Sequence, residues 1–156
     1  MNLSEAQRHA RRLFTEFGID QQGWRFAWDN AKRRHGCTHF SKRTISLSKP
    51  ITAINECEVV DNTIRHELAH VLAGPTHHHD ATWKRYAVQC GARPERCVQA
   101  DSAEQVPAKI YGICPNCDHH HPRHRAPKAG AKYFCNAPPC RHLPHDDRLI
   151  SWRRAR

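Results

Sequence analysis

His66-Glu67-Leu68-Ala69-His70 decides how this chain is read. Residues four apart share one face of a helix, so His66 and His70 can offer two imidazole nitrogens to a single tetrahedral zinc. Glu67 stands beside them, where a carboxylate can hold a water and take its proton. The five residues lie within a longer periodic run, with Val60, Ile64, Leu68, Val71 and Leu72 forming one apolar stripe. Asn55 with Glu58 can cap the start, and Gly74-Pro75 can end it. The pattern predicts a helix from about Cys57 to Ala73, the context the zinc chemistry needs.

A hydrolytic zinc usually has three protein ligands and an open position for water. The metzincin spacing His-Glu-x-x-His-x-x-Gly-x-x-His is missed, because Gly74 and His77 each come one residue too late. His77, His78 and His79 are the candidates for the third ligand. Beyond them a shorter helix is expected from Ala81 to Cys90, stopped by Gly91, with Trp83 packing it.

Upstream, Leu3, Ala6, Ala10, Leu13, Phe14 and Phe17 fall at helical spacing behind a capping-box start at Asn2 and Glu5. Trp24, Phe26 and Trp28 alternate as in a half-buried strand. Two more short strands are expected near His35–Phe40 and Thr44–Ser48, and Pro50 interrupts.

From Gly112 onward helical periodicity disappears. Cys114-Pro115-Asn116-Cys117 makes a knuckle, and Cys135 and Cys140 follow seventeen residues later. Cys-x2-Cys-x17-Cys-x4-Cys suits a four-thiolate structural zinc. The histidines 119, 120, 121 and 124 read as an exposed basic loop with Arg123, Arg125 and Lys128. Cys37, Cys57, Cys90 and Cys97 show no paired metal spacing beyond a loose Cys90/Cys97 and read as buried thiols.

These residues resemble the SprT-like family, which includes the eukaryotic Spartan proteases. In that family a third His opens the helix after the zinc helix, with an aromatic residue four positions on, and His79-Asp80-Ala81-Thr82-Trp83 matches. The resemblance therefore implies that His66, His70 and His79 hold a catalytic zinc with Glu67 as the catalytic base. Arg43-Thr44-Ile45-Ser46-Leu47-Ser48 resembles the family's edge strand, and the four cysteines resemble its C-terminal ribbon. The implied fold is α+β, a zincin-like core of helices with a small, mainly antiparallel sheet over residues 1–105. A zinc ribbon over 106–145 and a basic tail over 146–156 would follow. The implied activity is a zinc endopeptidase acting on proteins close to DNA.

Composition narrows the remaining classes. The chain has 156 residues, eight cysteines and a formal net charge of +10, with a mean hydropathy of -0.82. No apolar stretch is long enough to span a bilayer. Charged residues break up the N-terminus, so a secretory signal is not expected. A cytoplasmic monomer, associated with the nucleoid where it meets DNA, is expected. Residues 109–156 carry ten Lys and Arg against three Asp, while residues 1–108 carry fifteen against twelve acidic groups. Clustered positive charge attracts nucleic acid. Binding should be indifferent to sequence and should favour single strands or junctions, with Tyr133, Phe134 and Trp152 available to stack on bases. The alternative is a non-enzymatic, zinc-containing nucleic-acid-binding or regulatory protein. Glu67 argues against it, because a purely structural metal site has no need of that carboxylate.

Overall fold

Residues 1–95 and 103–155 are described in the structure, a computed structural model. They divide into two units, Met1–Val106 and Pro107–Arg156. The fold is α+β with small sheets in both.

The first unit begins with α1, Leu3–Glu16. Its capping box forms as the residues dictate: Asn2 Oδ1 accepts from the Glu5 amide at 2.9 Å, and Glu5 accepts from the Asn2 amide at 3.1 Å. Two donors that a helix start leaves orphaned are thereby satisfied. The helix buries Ala6, Ala10, Leu13 and Phe14.

Three strands follow: β1, Arg25–Asp29; β2, Gly36–His39; and β3, Thr44–Ser48. Their spatial order is β1-β3-β2, with β3 parallel to β1 and antiparallel to β2. The sheet is thus mixed, and β3, expected at the edge, is its central strand. In that central place Ser46 and Ser48 are both buried. Ser46 donates to Asp29 Oδ2 at 2.8 Å and Ser48 donates to the Ala31 carbonyl at 2.6 Å, so burial leaves neither hydroxyl unpaired. Ile45 and Leu47 fill the other face, each with no exposed surface.

Pro50 starts a helix here. It lies in the first turn of α2, Lys49–Ile54, where a missing amide hydrogen costs nothing. Asn55 does not cap the next helix. Its side chain donates to the carbonyls of Ile51 and Glu104, both at 2.9 Å, and accepts from the Glu104 amide at 2.8 Å. Glu56 occupies the cap position of α3, Cys57–Ala73, without a side-chain bond.

Val60, Ile64, Leu68 and Ala69 of α3 pack into the core, while Val71 and Leu72 are only half-buried. The last helix of the unit, α4, spans Ala81–Gln89 and buries Trp83 and Ala87. Asp61 on α3 ties the helices together. It pairs with His9 of α1 and takes a bidentate contact from Arg65, whose Nη1 reaches the Cys90 carbonyl at 2.6 Å. Cys90 is a buried thiol as expected, but Cys37 is half-buried and Cys57, in the first turn of α3, is exposed. Cys97 lies outside the described residues.

The second unit has a three-stranded antiparallel sheet in the order β5-β4-β6. Its strands are β4, Ile110–Ile113; β5, His120–Arg123; and β6, Ser151–Arg154. Two expectations change here. The histidine-rich stretch is a strand, with His121 and Arg123 half-buried, and the residues placed in a tail supply the strand β6 beside β4. Backbone pairing recruits these polar segments because β4 has two edges and few other partners. Gly112 lets β6 approach: a side chain there would run into Ile150 and Trp152. The core consists of Cys114, Cys135, Cys140 and Ile150, with Cys117, Tyr133, Leu143 and Trp152 around it. Among the described residues no helix is long and apolar enough to cross a membrane.

Asn55→Ala is expected to lower the unfolding free energy by about 1–3 kcal/mol in urea titrations, since it removes a buried side chain that bonds the Ile51 carbonyl and both main-chain groups of Glu104. An unchanged midpoint would show that the Glu104 segment contributes nothing to the first unit's stability.

Candidate functional site

The helical repeat places His66 and His70 one turn apart on α3, and the connection 74–80 returns the chain to open α4. Asp80 sets the geometry of that return. It caps α4 by accepting from the Trp83 amide at 3.0 Å, and its other oxygen takes His77 Nδ1 at 2.7 Å. His77 is thus held by the loop, and His79 meets the α3 pair. One nitrogen from each of His66, His70 and His79 lies within 4.8 Å of the others. His79 Nε2 and His66 Nε2 are 3.2 Å apart. Two nitrogens on one tetrahedral zinc would be separated by about 3.3–3.4 Å, from zinc–nitrogen bonds of 2.0–2.1 Å. The donor set therefore fits zinc in both type and spacing. His77 and His78 line the same cleft but do not belong to the group.

Burial, followed by the influence of the other imidazoles, lowers the His66 pKa to about 3 and that of His70 to about 4. Both rings are then neutral near pH 7, the form that lends a lone pair to a metal. Trp83 lies beneath all three. It has no exposed surface, and its ring centre is 4.7 Å from His66, 5.3 Å from His70 and 4.6 Å from His79. The sequence showed it as a packing residue of α4. Its contact with every imidazole follows from its place one turn after His79.

Glu67 is 7% exposed, yet it lines the cleft of about 580 Å³ that His66, His70 and His79 also line. Burial pushes its carboxyl up to about 7, against the pull of a hydrogen bond from Thr38. The Thr38 hydroxyl lies 2.8 Å from Glu67 Oε2 and 2.9 Å from the Glu67 carbonyl oxygen. Arg33 and Arg34 form part of the cleft wall, Arg34 paired with Asp29 at 2.9 Å.

The four cysteines of the second unit also converge. Cys114 and Cys140 sulfurs are 3.7 Å apart, and those of Cys117 and Cys135 are 3.8 Å apart. Thiolates on one tetrahedral zinc sit about 3.8 Å from each other, given bonds of 2.3 Å. Cys135 is held up by burial, and Cys140 by its hydrogen bond with Cys117 and then by burial. Cys114 moves down, its burial outweighed by the amides of Asn116 and Cys117. Such a cluster cannot ionise fully by itself, which is the condition a bound divalent cation relieves.

The aromatic residues expected to stack on bases have partners inside the unit. Arg123 lies over both Tyr133 and Trp152, at 4.6 Å and 5.3 Å, and those two rings meet edge to face at 5.5 Å. Phe134 stacks on His145 at 4.4 Å.

An α+β chain with three converging imidazoles, a buried carboxylate beside them and a separate four-sulfur cluster is equipped to hold metal at two places. The chain belongs to the SprT-like family, whose model matches residues 4–111. The match takes in the histidine site and stops short of the cysteines. Neither the curated proteins nor the solved structures yield a match.

Because the Glu67 carboxyl holds its proton up to about pH 7 when folded, against an ordinary value of 4.5, the folded chain binds more protons between those values. Its contribution to stability therefore falls as pH rises across that window. In chelator-treated protein, urea melts of Glu67→Gln and wild type should diverge in the variant's favour from pH 4.5 to pH 8. A difference that stays flat would mean that the carboxyl ionises at its ordinary pH.

Proposed function

We propose that the chain is a monomeric zinc endopeptidase with a zincin-like core, cleaving proteins held near DNA in the cytoplasm or at the nucleoid. The observation that carries this reading is the convergence of His66, His70 and His79 with a buried Glu67 on one open cleft. Three protein ligands are the number that leaves a hydrolytic zinc open to water. When bound, zinc supplies a Lewis acid that polarises the scissile carbonyl and acidifies water at neutral pH. Glu67 takes the proton of the attacking water as its oxygen bonds to the carbonyl carbon. The same carboxyl then returns that proton to the departing amine nitrogen as the C–N bond breaks. A carboxylate that lines the cleft and is hydrogen-bonded by Thr38 is placed for both halves of that transfer. Cys114, Cys117, Cys135 and Cys140 hold a second, structural zinc.

Fully loaded protein is expected to contain two zinc ions per chain by elemental analysis. His66→Ala should lose one, Cys114→Ser the other. Glu67→Gln should keep both and cleave denatured casein about 10²–10⁴-fold more slowly, since an amide cannot accept the proton. Wild-type turnover by Glu67→Gln would refute the assignment of the base. A single zinc, lost in Cys114→Ser, would favour the non-enzymatic nucleic-acid-binding alternative.

The DNA part of the reading rests on charge. Exposed Arg153 and Arg154 on β6, with Arg123 on β5, concentrate cations on the second unit. Contacts to phosphate would give affinity without sequence preference. A preference for single strands or junctions would require Tyr133, Phe134 or Trp152 to leave the partners they have within the unit. Replacing Arg153 and Arg154 together by Ala should weaken DNA binding. It should also make the log–log salt slope shallower by about 0.9 for each duplex phosphate that is no longer neutralised. Equal affinity and slope in the double variant would move the DNA-binding surface elsewhere.

A further inference from the structure

Glu67 is on the zinc-site helix, but what surrounds its carboxylate comes from β2, about thirty positions earlier in the chain. Gly36 and Thr38 are two residues apart on that strand and so face the same side. Thr38 Oγ reaches Glu67 Oε2 at 2.8 Å. A methyl group on Gly36 would lie 2.8 Å from Glu67 Cγ and 2.9 Å from Oε1, closer than side chains tolerate, and its three nearest neighbours are all Glu67 atoms. The missing side chain at 36 is thus the space that Glu67 fills, and the hydroxyl at 38 is what it leans on. Gly36 has no positive φ, so no turn accounts for the glycine.

We infer that Gly36 and Thr38 are positioning residues that seat the Glu67 carboxylate in the cleft. This inference deepens the peptidase reading above and rests on it for its catalytic consequence. The seat fixes where the carboxylate sits and leaves the three imidazoles untouched, because neither residue belongs to the histidine group. The Thr38 hydroxyl suits the task in a way a permanent donor does not. Its O–H can donate to Oε2, or its oxygen can accept from the protonated carboxyl while the hydroxyl hydrogen turns to the Glu67 carbonyl 2.9 Å away. The contact therefore persists as the proton comes and goes.

The experiment uses the full, zinc-loaded chain with denatured casein as the probe. Thr38→Val should lower kcat roughly tenfold, the value of one charge-assisted hydrogen bond. KM and zinc content should stay the same, and Thr38→Ser should restore the rate. Gly36→Ala should lower kcat about a hundredfold by displacing Glu67, again with zinc retained. Unchanged kcat in both Thr38→Val and Gly36→Ala, or failure of Thr38→Ser to rescue, overturns the inference. If wild type shows no Glu67-dependent cleavage, it is the peptidase reading that fails, and the seat is decided by stability alone. Gly36→Ala should then depress the urea midpoint in the wild-type background and lose that effect beside Glu67→Ala, where the clashing atoms are gone. Additive effects in that cycle would refute the seat itself.

Discussion

The first unit depends on one property of α3: each residue is rotated by about 100° from the last, so a single helix must serve core and cleft at once. Ile64 and Leu68 face inward with no exposed surface, and His66 and His70 face the cleft. Glu67 follows His66 by one step and precedes Leu68 by another, which puts it at the margin of the core. Its burial is a geometric consequence of the motif, and so is the raised affinity of its carboxyl for a proton. A carboxyl buried in this way needs a partner, and β2 supplies Thr38. β2 lies at an edge of the sheet, with β3 in the middle and its serines buried.

The second unit solves a different problem. Few of its side chains are both apolar and buried: Ile150 with three cysteine side chains makes up the packed centre. A core of that size gives little burial free energy against the entropy of ordering the chain. Bonds from the four converging sulfurs to a shared metal would replace area as the source of stability, as they do in other small metal-bound modules. The sheet can then be built from segments as polar as His120–Arg123 and Ser151–Arg154, because backbone pairing does not ask for apolar side chains.

What the sequence made legible was whatever is local and periodic. The bounds of α3, the capping box of α1 and the spacing of His79 from Trp83 can be read from residues a few positions apart. What it hid depends on distant partners. The burial of Ser46 and Ser48 depends on acceptors from another segment, Asp29 and the Ala31 carbonyl. Asn55 has the sequence context of a helix cap, but Glu104 claims it from forty-nine residues away. Cys57 passed for a buried thiol because cysteines usually are, whereas its turn of α3 faces outward. The basic composition of 146–156 gave no sign that four of those residues complete a sheet. Gly36 and Thr38 carried no signal at all, since neither residue type reacts and their meaning lies wholly in what α3 brings opposite them.

The two halves of the histidine site also differ in the length of chain that must be organised to make them. His66, His70 and His79 come from a single helical hairpin, α3 with α4, whereas the seat of Glu67 joins that hairpin to a strand twenty-nine residues upstream. Contacts over short separations cost less loop-closure entropy and form sooner. The imidazole cluster is therefore a local construction that one hairpin can hold, whereas the oriented carboxylate requires the sheet and that hairpin to be docked together.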